Sequence, residues 1–257
     1  MSKVSTATEN VIVLHQGRGA DGKVLISSAP QSGAGDDQNG SETLRHLRED
    51  ILTGVFAPEQ KLKFEDLRTR YAVSVSTLRE ALLQLGTEGL VRTELNRGFA
   101  VAPVSVADLM DITALRVQFE AQALTDSIEH GDDAWEAEIV TSLHLLIKLT
   151  TREAKPTRSS EWPMRHRRFH QALVAGCRSP WTLHFRSVLF DQAERYRSLG
   201  RIHRRVPRDV AGEHRMLADA VLERNVAKAT KLAKQHIRST VENALATVPD
   251  LIPRKPK

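Results

Sequence analysis

The alternation of apolar and polar positions divides the chain into three regions and a tail. Residues 1–40 include the small, glycine-rich run SSAPQSGAGDDQNG, which buries too little apolar surface to offset the entropy of ordering it. We therefore expect a flexible N-terminal arm. Residues 41–105 combine short helical patterns with two strand patterns, residues 106–247 are helical in period throughout, and residues 248–257 form a short tail.

Residues 41–105 carry the signals of three short helices followed by a hairpin. Ser41 is a candidate N-cap for the first helix, whose leucines share one face and which stops at Gly54. A second helix is predicted in KFEDLRTRY, and a third from Ser74 to Leu85. The segments LVRTE and FAVAP read as two strands joined by the turn LNRG.

Three helices and a hairpin of this length predict a winged helix-turn-helix, a fold that binds DNA. In such a domain the third helix lies in the major groove, while the wing reaches neighbouring phosphates or the minor groove. The close packing of the third helix against the β-hairpin therefore fits a domain in which both elements contact DNA.

From residue 106 onward the sequence shows long amphipathic helices and no strand signal. We predict an all-α helical bundle, so the chain as a whole is mainly α. The six predicted helices lie near residues 106–129, 132–152, 160–176, 180–198, 208–223 and 225–246.

Charge and composition narrow the functional classes. The formal net charge is +5, which is compatible with nucleic-acid binding, but residues 41–105 hold nine Lys and Arg against nine Asp and Glu. Binding must therefore depend on the placement of charge, and affinity should fall steeply with salt.

The single cysteine, Cys177, fits a reducing compartment. The sequence has neither an 18-residue apolar window nor a signal-peptide pattern, so we expect a cytoplasmic protein without a membrane span.

Five residues are candidates for DNA contact. Arg79 lies opposite the apolar face of the third helix, where arginine reads guanine through two hydrogen bonds; the alternative is a pair with a carboxylate or a phosphate. Ser74, Ser76 and Thr77 begin that helix and suit phosphate contacts, or simple N-capping. Arg97 at the wing tip suits a phosphate or minor-groove contact, or is a solvated turn residue.

Four histidines of the helical region have suggestive spacing. His166 and His170 in HRRFH are four apart and share a helix face, and His214 and His236 follow in two later helices. If these helices surround one cavity, four imidazoles converge and suit a divalent transition metal, zinc or nickel first. The alternative is a polar pocket in which the imidazoles bind an organic acid directly.

The N-terminal domain resembles the GntR family of bacterial transcription regulators. The resemblance is carried by LREDILTGVFAPEQKL, LRTRYAVSVSTLREALLQLGTEGLV and NRGFAVAPVS. The helical remainder resembles the FCD effector domain of the FadR subfamily through LRVQFEAQAL, RRFHQALVAGCRSPW, EHRMLADAV and AKQHI, and GCRSPW with LFDQAERYR resembles the branch of the carbon-starvation regulator CsiR. Three positions depart from the family pattern: Val75 and Leu83 stand where arginine is common, and Glu59 follows Pro58 where glycine is frequent.

The resemblance carries expectations for the helical domain. Many FCD domains hold a metal with Asp-x-x-x-His and two later histidines, and His166 stands where the aspartate would be. Arg116 stands at the place of a pocket-lining arginine, which would clamp an effector carboxylate. The alternative for Arg116 is an ion pair with Glu120, four residues on. Tyr196 and Arg197 are either at the border of the cavity or packing residues.

Together these patterns favour a transcription regulator, with repression as the first expectation. A homodimer would place two recognition helices about one DNA turn apart on a palindromic operator, and a small carboxylate metabolite bound in the bundle would modulate DNA binding. Two alternatives stay open: a regulator that senses the metal itself, and a metalloenzyme with a winged-helix appendage. Because HRRFH lacks the glutamate of His-Glu-x-x-His, and no phosphate loop or nucleophile elbow is present, we do not expect an enzyme.

Overall fold

The computed structural model describes residues 34–94, 98–152, 161–202 and 208–246. The N-terminal domain contains α1 (Ala34–Thr53), β1 (Lys61–Leu62), α2 (Phe64–Tyr71), α3 (Val75–Thr87), β2 (Val91–Glu94) and β3 (Gly98–Val101). The C-terminal domain contains α4 (Val106–His130), α5 (Asp133–Arg152), α6 (Trp162–Ala172), α7 (Pro180–Ile202), α8 (Val210–Leu222) and α9 (Val226–Leu245). This arrangement confirms the predicted winged helix-turn-helix followed by an all-α bundle.

The first helix begins earlier than the sequence predicts. It starts at Ala34, so Ser41 lies inside α1 and is not its N-cap. Thr43 is buried, and its hydroxyl donates to the carbonyl oxygen of Asn39, one helical turn earlier, at 2.7 Å. Gly54, with φ of +82°, ends the helix as predicted.

The wing belongs to a three-stranded antiparallel sheet in the order β1-β3-β2. Phe99 of β3 pairs with Thr93 of β2 on one side and with Leu62 of β1 on the other. The hairpin was predicted, whereas β1 was not, because a two-residue strand carries no alternation that a sequence pattern reveals. The predicted wing tip at Arg97 lies outside the described residues.

The third helix forms as its pattern predicts. Ser74 caps it by accepting a hydrogen bond from the backbone N–H of Thr77 at 3.2 Å. Leu78, Leu82 and Leu85 are completely buried and anchor α3 in the apolar core of the N-terminal domain. The opposite face of α3 is therefore left to the solvent.

The C-terminal domain packs its six helices around an apolar core, as predicted. Helix α6 is shorter than the predicted 160–176, because after Ala172 the chain leaves the helix in a series of tight turns. Gly176 lies in this segment, and a Cβ there would come within 2.9 Å of the carbonyl oxygen of Ser127. Of the residues that the structure describes, none forms a helix long and apolar enough to cross a membrane.

Helix α7 contacts both domains. Gln192 Nε2 donates to the carbonyl oxygen of Glu88, the C-cap of α3, at 2.6 Å. Arg195 donates to the carbonyl oxygens of Ala102 and Pro103, the latter at 3.0 Å. The recognition helix and the linker are thus hydrogen-bonded to one helix of the bundle.

Candidate functional site

The structure brings the four predicted histidines together in the interior of the C-terminal domain. Helix α6 contributes His166 and His170, α8 contributes His214, and α9 contributes His236. All four are buried, and one nitrogen of each lies within 4.8 Å of the corresponding nitrogens of the others. The Nε2 atoms of His166 and His170 are 3.1 Å apart. The structure therefore confirms the prediction, from their i, i+4 spacing, that His166 and His170 lie on the same face of one helix.

The environment keeps these imidazoles neutral. Burial, reinforced by Arg197 and the neighbouring rings, lowers the pKa of His166 well below its usual value, and burial likewise lowers the pKa values of His170 and His214. Burial also lowers the pKa of His236 to about 4, although a hydrogen bond with Glu213 opposes that shift. A neutral imidazole offers a lone pair, which is the form that binds a metal.

The donor set fits a divalent transition metal. The Nδ1 atom of His166 and the Nε2 atom of His214 are buried and have no hydrogen-bond partner among the described residues. An unpaired buried nitrogen is unfavourable, and a coordinated cation would satisfy such an atom. Imidazole nitrogen suits zinc, nickel, copper and iron, so the residues present match the kind of ion that the sequence predicts.

Glu213 and Arg208 support the histidine centre, and neither residue was predicted from the sequence. Glu213 Oε2 lies 2.8 Å from His236 Nδ1, and Arg208 Nε donates to Glu213 Oε1 at 2.6 Å. Burial opposes ionisation of Glu213, but the hydrogen bonds from His236 and Arg208 outweigh it and lower the pKa of this carboxyl to about 2. The adjacency of Glu213 to His214 in EHRMLADAV was the only sequence signal for this pair.

Arg116 is buried beside the histidines without an ion pair to Glu120. Both carboxylate oxygens of Glu120 accept hydrogen bonds from Arg186, at 2.9 and 3.0 Å, so the predicted i, i+4 alternative is not the pairing found. The Nε atom of Arg116 has no hydrogen-bond partner among the described residues. Burial, partly offset by the charge of Glu120, lowers the pKa of Arg116 to about 10.

Phe190 of α7 is surrounded by guanidinium groups, an arrangement that sequence periodicity did not indicate. The guanidinium carbons of Arg116 and Arg197 each lie 4.9 Å from the centre of its ring, and that of Arg186 lies 5.7 Å away. The same ring lies 5.8 Å from the imidazole of His170. Arg186 is paired with Glu120 and Arg197 with Glu194, so among the described residues Arg116 is the guanidinium of this group without an ion pair. Arg116 is therefore the position here that suits an anionic ligand.

Tyr196 and Arg197 of α7, whose roles the sequence left open, lie in different environments. The Tyr196 side chain packs against the start of α4, where its hydroxyl donates to Asp108 at 2.5 Å and accepts from the backbone N–H of Ser105 at 3.0 Å. Arg197 instead faces the histidine centre, with its guanidinium carbon 5.9 Å from the ring of Trp162, which stacks on His166 at 4.2 Å. Tyr196 is thus a packing residue of the domain junction.

Four of the five predicted DNA-contacting residues, Ser74, Ser76, Thr77 and Arg79, lie at the start or on the solvent face of α3. The hydroxyl of Ser74 is 2.7 Å from that of Ser76 and 2.9 Å from that of Thr77, so the three short polar side chains form one cluster at the helix N-terminus. Ser74 is confirmed as a cap, which leaves its phosphate contact a prediction. Arg79 is exposed, with its guanidinium carbon 5.5 Å from the ring centre of Phe64.

The charge pairs of the N-terminal domain set Arg79 apart from other arginines. Arg48 pairs with Glu88 across the domain, and Arg70 pairs with Asp50 at 2.8 Å. Within the described part of the chain no carboxylate pairs with Arg79, so the carboxylate-pair alternative for this residue finds no partner. Its guanidinium is left available to an external ligand.

Two protein families match the chain. The profile described as "Bacterial regulatory proteins, gntR family" matches residues 40–101, and the profile described as "FCD domain" matches residues 111–239. The two matches correspond to the N-terminal and the C-terminal domain.

Curated relatives cover most of the chain. The chain is 42% identical over 201 residues to the HTH-type transcriptional regulator BphR of Paraburkholderia xenovorans LB400, a match that covers 77% of this chain and 82% of that protein. It is 40% identical over 202 residues to the HTH-type transcriptional repressor GlaR of Escherichia coli K12, with 77% and 91% covered.

Solved structures share the fold. A GntR transcriptional regulator from Rhodococcus sp. RHA1 aligns with a TM-score of 0.67 at 21% identity, covering 81% of this chain and 98% of that one. Escherichia coli McbR/YncC aligns with a TM-score of 0.69 at 15% identity, covering 81% and 97%. At these identities the likeness concerns the fold alone.

Proposed function

We propose that this chain, which belongs to the GntR family of bacterial regulatory proteins and has an FCD domain, is a repressor among these DNA-binding transcription regulators. A small carboxylate effector and a bound divalent metal would control its binding to DNA. The family and the relatives are transcription regulators, not enzymes. Repression is supported by the relative named as a repressor, which is 40% identical to this chain.

One observation carries the metal and effector proposal: four buried histidines converge next to buried Arg116, which forms no ion pair with any carboxylate that the structure describes. His166, His170, His214 and His236 would hold zinc or nickel, and such an ion supplies a Lewis-acidic point for an anionic oxygen. Arg116 would bind the effector carboxylate through two hydrogen bonds, because a planar guanidinium matches that geometry.

A regulator that senses the metal itself is the second candidate. If zinc were bound by these four histidines alone, they would complete the four-ligand set of a structural site and leave no open position for an effector oxygen. In that case zinc alone changes operator affinity and carboxylates have no effect. In the effector case, metal alone changes operator affinity little and the carboxylate changes it several-fold.

DNA recognition is assigned to α3 and to the wing. Arg79 would read a guanine in the major groove, while Ser74, Ser76 and Thr77 would contact phosphates at the helix N-terminus. Arg97 would extend the contact from the wing tip. Because the positive and negative charges of this domain balance, affinity should depend on these few positions and fall steeply with salt.

A homodimer would match a palindromic operator, with half-sites about 34 Å apart. The C-terminal domain exposes aromatic side chains on neighbouring helices: Trp181 of α7 is 71% exposed and lies 6.0 Å from Phe185, whose ring is 5.7 Å from that of Phe119 on α4. A contiguous exposed aromatic surface of this kind suits a second copy of the chain.

Helix α7 would link the effector site to the DNA-binding domain. Phe190 and Arg186 lie against the histidine centre, whereas Gln192 and Arg195 bind the backbone of the N-terminal domain and linker. A small displacement of α7 on effector binding would therefore reorient α3. By linkage, operator binding must change effector affinity by the same factor.

Metal analysis tests the proposal first. Protein purified without a histidine tag should contain about one ion per chain by mass spectrometry, and the variant combining His170→Ala with His214→Ala should contain none. The wild-type protein, with and without metal, is then titrated with small mono- and dicarboxylates while its binding to an operator selected from random duplexes is followed. If neither protein contains metal, the metal part of the proposal is wrong, and Arg116 with the imidazoles remains the candidate for direct binding of an acid.

A further inference from the structure

Glu213 and His236 form a carboxylate–imidazole pair between α8 and α9. The Oε2 atom of Glu213 lies 2.8 Å from Nδ1 of His236, and the imidazole is buried. Glu213 immediately precedes His214 in α8. The same turn of α8 therefore supplies one member of the histidine centre and the hydrogen-bond partner of another.

Arg208 holds this pair in place from the other side. Its Nε donates to Glu213 Oε1 at 2.6 Å, and its Nη2 donates to Glu213 Oε2. Its Nη1 donates to the hydroxyl of Thr240 at 2.9 Å, and Nη2 also reaches the carbonyl oxygen of His236 at 2.9 Å. Since Thr240 lies one helical turn after His236, Arg208 ties the Glu213 carboxylate to α9 at two points.

The partners of Nδ1 determine which nitrogen of His236 carries the proton. A carboxylate only accepts hydrogen bonds, so Nδ1 must donate to Glu213 and Nε2 then keeps its lone pair. Arg208 Nη2 lies 3.2 Å from the same Nδ1 and would favour the opposite tautomer. The carboxylate is nearer to Nδ1, at 2.8 Å, and Arg208 Nη2 already donates to two other oxygen atoms. With Nδ1 protonated, the imidazole, the carboxylate and Nη2 therefore all keep hydrogen-bond partners.

We propose that Glu213 is a positioning residue: it holds His236 in the Nδ1–H tautomer and turns Nε2 toward the centre formed by His166, His170 and His214. This role rests on the proposed metal site. Partners of this kind typically contribute a 10–100-fold gain in metal affinity, because they fix ring orientation and raise the basicity of the ligating nitrogen.

The test combines a metal-binding and a spectroscopic measurement on the full chain. Zinc affinity is measured by competition with a chelating indicator for the wild type, Glu213→Ala and Glu213→Gln. The tautomer of His236 is read from its ¹⁵N chemical shifts in metal-free protein. The matched control is Glu223→Ala, which removes an exposed carboxylate from the end of the same helix, where it pairs with Lys228.

We expect Glu213→Ala to bind zinc 10–100-fold more weakly than the wild type and to lose the Nδ1–H tautomer. Glu213→Gln keeps an acceptor oxygen and should retain the tautomer and most of the affinity, and Glu223→Ala should match the wild type. A Glu213→Ala protein with the wild-type tautomer overturns the role, as does one with wild-type zinc affinity. If the wild type itself binds no zinc, the proposed metal site fails separately, and the tautomer measurement alone decides whether Glu213 positions His236.

Discussion

Arg186 and Glu120 form a buried two-point ion pair, with Nε and Nη2 of the arginine 3.0 and 2.9 Å from the two carboxylate oxygens. Both side chains are 4% exposed. Within the described part of the chain, Glu120 accepts no hydrogen bond from Arg116, one helical turn earlier on α4. The interior near Phe190 therefore keeps one guanidinium, that of Arg116, without an ion pair among the described residues, and this is the expected binding position for an anion.

Replacement of Arg116 by methionine should stabilise the ligand-free protein. A buried charge with an unsatisfied donor is unfavourable, so we expect the free energy of unfolding to rise by about 1–3 kcal/mol in urea titrations of metal-free protein. Binding of carboxylates should be lost while zinc binding is kept. Arg186→Met is the matched control, and it should lower stability by about 3–5 kcal/mol because it leaves Glu120 buried and unpaired. Equal destabilisation by both substitutions would show that Arg116 is a structural cation.

Arg79 should carry sequence specificity. We expect Arg79→Ala to reduce the preference for a selected operator over random duplex by about 1–3 kcal/mol, since a bidentate guanine contact is lost. Titrations at one salt concentration with both duplexes measure this difference. Arg215→Ala removes the same charge from an exposed position on α8 and should leave the preference unchanged. A parallel loss of affinity for both duplexes would indicate a phosphate contact instead.

The sequence was sufficient for features that depend on local periodicity. The apolar face of α3, its Ser74 cap and the exposure of Arg79 follow from a helical repeat of 3.6 residues. The proximity of His166 and His170 follows from the same repeat. The convergence of His214 on that pair was a hypothesis that only tertiary packing could test.

Pairings between distant elements could not be predicted in this way. The i, i+4 spacing offered Glu120 to Arg116, but the carboxylate pairs with Arg186, 66 residues away, because that arginine reaches both oxygens in the interior. Glu213 was missed for a similar reason, since its partner His236 lies on another helix. The start of α1 was misplaced because Ser41 offered an N-cap and glycine has a weak helix propensity, whereas the helix runs through Gly40 back to Ala34.

Metal-free protein should lose stability as the pH falls below about 6.5. The pKa values of His166, His170 and His214 are well below this value in the folded state, and that of His236 is about 4, chiefly because of burial. The unfolded chain therefore binds more protons between about pH 4 and 6.5, and the free energy of unfolding decreases by up to about 1.4 kcal/mol per pH unit for each histidine. Above pH 6.5 this contribution is fully present.

Urea titrations across this range measure the slope. His170→Gln should reduce it, because one buried imidazole is removed, whereas His144→Gln at an exposed position of α5 should not change it. A flat profile in metal-free wild type would contradict the buried, neutral histidine centre.

Glu59→Gly should stabilise the N-terminal domain. Glu59 adopts a φ of +64° at the position after Pro58, a left-handed conformation that is about 1–2 kcal/mol unfavourable for a residue with a Cβ. Glycine relieves this strain but adds about 0.4–1 kcal/mol of unfolded-state entropy, so the net gain should be about 0.5–1 kcal/mol. The exposed ion pair of Glu59 with Arg92, at 3.6 Å, contributes little.

Thermal unfolding of the wild type and Glu59→Gly measures this gain. Glu59→Gln, which removes the charge of the ion pair and keeps the Cβ, is the matched control. A lower midpoint for Glu59→Gly than for Glu59→Gln would show that the turn is not strained.

Gln192 should stabilise the junction between α7 and the recognition helix. Its Nε2 donates to the carbonyl oxygen of Glu88, and a Cβ at Gly89 would lie 3.2 Å from the same nitrogen, so the side chain fits closely against the end of α3. Loss of this partly buried hydrogen bond, which contributes about 0.5–1.5 kcal/mol, should speed local opening by about 2–12-fold. We therefore expect Gln192→Ala to increase amide hydrogen exchange in residues 86–91.

Exchange is followed by mass spectrometry on metal-free protein, with zinc affinity measured in parallel. Gln122→Ala, at an exposed position of α4, is the matched control and should exchange as the wild type does. Because Gln192 lies outside the histidine centre, zinc affinity should not change, while the effect of the effector on operator binding should become smaller. Unchanged exchange in residues 86–91 would show that the N-terminal domain is held by its other contacts, of which Arg195 with Ala102 and Pro103 is then the leading candidate.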